Sequence, residues 1–108
     1  MSSIPPVFLT AIRDRNTPEF RRALREAYGA TVEQWAEFFC VYVSEVQAWE
    51  NVAFRDFRSP VMQASALHFV CELGVRADLR AIVRETIADG CSLSTLGRRL
   101  AERAGTAR

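Results

Sequence analysis

From residue 17 onward, apolar residues recur every three or four positions, the spacing that lines one face of an α-helix. Phe20, Ala23, Leu24 and Ala27 make the first such stripe. Thr17 stands before it as a capping side chain, with Pro18 at the first helical position and Glu19 near the positive helix end. Gly29 ends it. Thr31 and Gln34 form a capping box that opens a second helix, with Trp35, Ala36 and Phe39 as its inner face. A corner near Cys40 and Val41 leads into a third helix over about 42–51, with Val46 and Trp49 inward. The following "VAFRDFR" has no period. Ser59 and Pro60 then cap and open "VMQASALHFVCEL", which Gly74 stops. "VRADLRAIVRETIAD" predicts a further helix carrying Leu79, Ile82, Val83 and Ile87, ended by Gly90, and Ser92 can cap the last, "LSTLGRRLAER". Ahead of all these, Pro5 and Pro6 open a short helix bearing Phe8, Leu9 and Ile12. No segment alternates with the period of a strand, and no repeat is visible. The pattern predicts an all-α fold in a single domain over 1–108.

Two of these helices and their corner have a recognisable layout. Leu24, Arg25, Gly29, Thr31, Ala36, Val41, Val46, Trp49, Glu50 and Asn51 fall, without a gap, at matching places in the pattern of the Xre/Cro phage-repressor-like helix-turn-helix family. Residues 24–51 thus resemble that family. The resemblance implies a five-helix core over 17–74, a short N-terminal arm before it, and extra C-terminal helices over 75–104 that can serve as a dimerisation element. Ala36 is small where two helices cross closely. Val46 and Trp49, three apart, pin the third helix to the first two. Arg25 and Glu50 are expected, from the resemblance, to pair across the first and third helices.

The same resemblance places base-reading positions at the start and outer face of the third helix: Tyr42, Val43, Ser44, Gln47 and Ala48. Ser44 and Gln47 can hydrogen-bond base edges, Tyr42 can reach a phosphate, and Val43 or Ala48 can touch only a thymine methyl. Phosphate contacts are expected from Arg21, Arg22, Asn51, Arg55 and Arg58. The chain departs from the family at the corner, where Cys40 replaces a glycine, after the third helix, where Val52 replaces another, and after the second cap, where Val32 replaces a frequent glutamine.

Charge complicates this reading. All 14 basic residues are arginine, against 13 acids, for a net charge of +1. No overall basic field therefore announces a nucleic acid. Residues 31–51 contain Glu33, Glu37, Glu45 and Glu50 and no basic residue. Positive charge for DNA must then come from outside the motif, from Arg13, Arg15, Arg21 and Arg22 before it and from Arg55 and Arg58 after it. The alternative is a protein-binding adaptor or inhibitor on a degenerate scaffold, meeting its partner through Tyr42, Val43, Phe54 and Phe57.

Other chemistry is sparse. One histidine, His68, on an apolar face, and three widely spaced cysteines, Cys40, Cys71 and Cys91, give neither a metal-ligand spacing nor a disulfide framework. No phosphate loop or nucleophile–base set is present, so neither an enzyme nor a cofactor is expected. Arg98, Arg99, Arg103 and Arg108 read as a solvated helix face and tail. With no secretory pattern and no spanning apolar run, a cytoplasmic protein off the membrane is expected. The combined expectation is a homodimeric, sequence-specific repressor on a palindromic double-stranded operator.

Overall fold

The computed structural model describes residues 4–51 and 61–106. Among them it is all-helical. Two 3-10 turns, Pro6–Leu9 and Ile12–Asp14, precede α1 (Pro18–Ala27), α2 (Val32–Phe39), α3 (Val43–Trp49), α4 (Val61–Leu73), α5 (Ala77–Ala88) and α6 (Leu93–Thr106).

The helix ends follow local side-chain chemistry. The Thr17 hydroxyl accepts the Phe20 N–H at 3.1 Å, satisfying an orphan donor of α1. At α2 the box is reciprocal: the Gln34 N–H donates to the Thr31 hydroxyl at 3.1 Å, and the Thr31 N–H donates to the Gln34 side chain at 2.9 Å. Gly29 and Gly90 take φ of 68° and 72° just past α1 and α5, a region where a Cβ is penalised. Cys40 ends α2 with φ 57° and ψ 45°, the left-handed corner that a glycine would fill without strain. Val41 N–H then reaches back to the Ala36 carbonyl at 2.9 Å, and the chain turns into α3.

All the helices share one core. Leu24, Trp35, Ala36, Phe38, Val46 and Trp49 from α1–α3 cluster with Leu67, Val70 and Cys71 from α4, Val83 and Ile87 from α5, and Leu96 from α6. Phe38, and not Phe39, takes the central position on α2; Phe39 lies half-buried, edge-on to Trp35 at 4.8 Å and to Trp49 at 6.0 Å. Ala23 is exposed. Part of the apolar face of α5 is used inside its own chain. Val83 is 0% exposed and Ile87 2%, both inside their own chain, while Leu79 and Ile82 are half-buried. α5 packs on α2, and its Val83 and Ile87 join the cluster that holds Trp35 and Phe38.

The N-terminal arm hangs on one ring. Phe8 is 1% exposed, whereas Leu9 and Ile12 beside it point outward. Its ring meets Tyr28 edge-on at 5.2 Å, lies under the Arg80 guanidinium at 5.6 Å and fills the space over Gly74. A Cβ on Gly74 would overlap that ring, so the glycine is the socket that admits it. The Tyr28 hydroxyl donates to the Val70 carbonyl at 2.5 Å beneath it.

Candidate nucleic-acid interface

The α2–α3 unit is clamped from behind. Arg25 on α1 makes a two-pronged pair with Glu50 at the end of α3: Nε to Oε2 at 2.8 Å and Nη2 to Oε1 at 2.9 Å. Its Nη1 also donates to the Ala30 carbonyl at 2.9 Å. The two side chains are 14% and 10% exposed. The Glu50 hydrogen bond is the main influence raising the Arg25 pKa, against the opposing effect of burial. The pairing expected from the resemblance is therefore formed, and it fixes the angle of α3 against α1.

With Val46 and Trp49 buried on one side, α3 turns the opposite side outward. Ser44 and Gln47 are exposed on it, three residues apart, and Asn51 is exposed just past the helix end. Ala48 and Val43 are half-buried at its margins. Tyr42, the residue before α3, is 78% exposed and makes no side-chain cap. Of the five expected reading positions, the structure thus brings Tyr42, Ser44 and Gln47 fully to the surface. The exposed row is polar and uncharged, with Glu45 half-buried beside it and Glu33 and Glu37 exposed on α2.

The expected phosphate grip divides. Arg21 is 1% exposed: its Nη1 donates to the Trp49 carbonyl at 3.3 Å and its Nη2 to the Asn16 side chain. Burial lowers its pKa. Arg21 therefore ties α1 to the end of α3 and is removed from the set of phosphate ligands. Arg15 is likewise internal, 7% exposed, donating to the Thr10 carbonyl at 2.9 Å and pairing with Glu72 at 2.7 Å. Arg22 is exposed and paired with Glu26 one turn on, at 2.7 Å. Arg13 is exposed beside Asp14. Arg55 and Arg58, with Phe54 and Phe57, lie outside the described residues.

Sequence reasoning missed these inward arginines because their partners are remote. Arg21 meets Trp49 twenty-eight positions away, a contact that no local pattern encodes. The pair of Arg103 with Asp78 at 2.5 Å is equally remote in sequence, whereas Arg76 bonds Asp78, two positions on, at 2.9 Å. Among the described residues, no group of three or more His, Cys, Asp or Glu side chains could hold a metal ion, and no helix is long and apolar enough to cross a membrane. The three cysteines are free, with Cys71 buried and Cys40 exposed. No protein-family model, curated protein or solved structure matches the chain.

Proposed function

We propose that this chain is a small helix-turn-helix protein that reads double-stranded DNA through α3 and regulates transcription, acting as a repressor by occupying an operator. The observation that carries this reading is the exposed row Ser44, Gln47 and Asn51, with Tyr42 at its head, on a short helix whose other side is locked by Val46, Trp49 and the Arg25–Glu50 pair. Hydrogen-bonding side chains on the exposed face of a helix held from behind are what base-edge recognition in a major groove uses. A homodimer on a palindromic site is part of the proposal, since one short helix reads too few base pairs to select a site in a genome.

A second reading is favoured by the charges. Arg15, Arg21 and Arg25 turn inward or pair, while Glu33 and Glu37 stay outside, so the described α1–α3 surface offers little to a polyanion. A protein-binding module with a neutral-to-basic partner fits that surface.

One titration decides between them. A duplex enriched from a randomised pool, and its scrambled version, are titrated with the protein at several salt concentrations. Gln47→Ala is expected to cost about 1–3 kcal/mol on the selected duplex and little on the scrambled one. Arg22→Ala, Arg55→Ala and Arg58→Ala are each expected to lower the salt slope by about one unit on both. If no duplex is bound even at low salt, the DNA reading falls and the protein-binding one stands.

A further inference from the structure

Arg80 and Arg84 stand one turn apart on α5 and border the same concavity, of about 380 Å³, whose other lining is Ala77 and Ala81. Elsewhere on the described surface arginines meet carboxylates: Arg22 meets Glu26, Arg76 and Arg103 meet Asp78, and Arg99 meets Asp89. Among the described residues neither Arg80 nor Arg84 forms an ion pair. Arg80 is half-buried and held in place. Its Nη1 donates to the Gly74 carbonyl at 2.8 Å, and its guanidinium rests on the Phe8 ring, 5.6 Å from the centroid. Both of those partners are neutral, so they fix the group without cancelling its charge. Arg84 is exposed, and its Nη2 lies 3.7 Å from the point where a Cβ on Gly29 would stand. Glu85 and Arg84 both line a second, neighbouring concavity of about 310 Å³ without pairing with each other.

We propose that Arg80 and Arg84 form a clamp for a phosphate group. Like charges at i and i+4 of a helix repel, and an anion between them removes that repulsion. Each guanidinium offers a planar fork of donors that meets two phosphate oxygens at once. With Nη1 of Arg80 taken by Gly74, its Nε and Nη2 remain for the ligand. The two charges select the head group. A phosphate monoester or a pyrophosphate carries enough negative charge to neutralise both arginines, whereas a carboxylate neutralises one. Ala77 and Ala81 leave room between the arginines and bring no side-chain acceptor to compete. Because Arg80 is already held by Gly74 and Phe8, little freedom is lost when the ligand arrives. The clamp stands on α5 and does not depend on the reading of DNA by α3. Its phosphate comes either from a free phosphate compound or from a nucleic-acid strand, and the two sources separate by experiment.

The test titrates the full chain with inorganic pyrophosphate at constant ionic strength and follows the arginine Nε–H signals by NMR. The expected result is saturable, one-to-one binding that moves the signals of Arg80 and Arg84 and leaves those of Arg22 and Arg99 in place. Acetate at the same ionic strength gives no saturable shift. Arg84→Gln, at an exposed position, weakens pyrophosphate about tenfold, the loss of roughly one charge-assisted hydrogen bond. Arg80→Gln combined with Arg84→Gln abolishes binding. Since Arg80 also supports Phe8, unchanged indole signals of Trp35 and Trp49 verify the fold of the double variant, and Arg84→Gln alone decides if they move. A duplex then identifies the source. Shifts of the same two signals on adding duplex, reversed by pyrophosphate, support the clamp and assign its phosphate to a nucleic-acid strand. Pyrophosphate binding with no response to duplex supports it and assigns a free phosphate compound. A chain that holds pyrophosphate but binds no duplex keeps the clamp and loses only the DNA reading of α3. Equal affinity for pyrophosphate and acetate, or undiminished affinity in Arg84→Gln, overturns the inference.

Discussion

The Arg25–Glu50 pair sets the posture of α3, and its removal gives a quantitative test of how the site is held. The guanidinium makes three hydrogen bonds, two to Glu50 and one to the Ala30 carbonyl, and both side chains are mostly withdrawn from water. Deleting one member of such a pair leaves a charge without its counterion, which costs about 3–5 kcal/mol for a fully buried pair. The residual exposure of 14% and 10% puts the expectation at the lower end, about 3 kcal/mol for Glu50→Ala. Arg25→Ala is expected to cost more, because it orphans the Ala30 carbonyl as well, adding about 1 kcal/mol. For a domain of this size, 3 kcal/mol lowers the melting temperature by about 12 °C or more. The double variant Arg25→Met/Glu50→Leu is expected to lose less than either single alanine variant, since no unpaired charge remains. Urea unfolding followed by tryptophan fluorescence reports directly, because Trp35 and Trp49, 0% and 1% exposed, both lie in the packed α2–α3 unit. A coupling energy below about 0.5 kcal/mol in the cycle closed by the Arg25→Ala/Glu50→Ala double variant is the value of an exposed pair and would refute this account.

Further outcomes follow from strain, close packing and ionisation. Cys40→Gly relieves a left-handed backbone with φ 57° at an exposed position and is expected to raise the unfolding midpoint by about 1 kcal/mol; a lower midpoint contradicts the strain argument. Gly74→Ala places a methyl group in the Phe8 ring and is expected to cost about 1–3 kcal/mol and to expose residues 4–14 to limited proteolysis; an unchanged digest sinks it. Burial, helped by the nearby Cys71 and opposed by Arg80, holds the Tyr28 phenol protonated well above its ordinary range. The folded pKa is raised above the unfolded value of about 10, so the stabilisation is complete below about pH 10 and is lost as pH rises toward the folded pKa, by about 1.4 kcal/mol per unit. Urea midpoints from about pH 9 upward should show this slope, and Tyr28→Phe should flatten it, leaving the contribution of the Cys71 thiol, which burial also raises.

Much of the fold was legible because its signals are local. Thr17 with Pro18, the Thr31–Gln34 box, and Gly29 and Gly90 each act within a few residues of themselves, and each marks the boundary it was expected to mark. The Arg25–Glu50 pair was legible only through the resemblance, since twenty-five positions separate its members. The fate of Arg21 was not legible. Beside Phe20 and Leu24 it looks like a flanking surface charge, and only the Trp49 carbonyl, brought near by the fold, gives it a reason to be inside. Phe38 and Phe39 are adjacent and equally apolar, so periodicity could not say which ring takes the centre. The placement of α5 was missed for a related reason. Val83 and Ile87 read as surplus to a three-helix core, whereas the fold gathers them into the cluster that holds Trp35 and Phe38.

The Phe8 plug has a consequence for synthesis on the ribosome. Its socket is made by Gly74 and Tyr28, and the core beneath is closed by Val83, Ile87 and Leu96. A chain emerging from its N-terminus therefore shows Phe8, Trp35 and Phe38 to solvent and chaperones until α5 and α6 have left the exit tunnel. The α1–α3 unit is then expected to complete its packing only once α5 and α6 have emerged. A nascent chain arrested before residue 83 is expected to be digested by protease throughout, and one arrested with residue 96 clear of the tunnel to be protected as a whole.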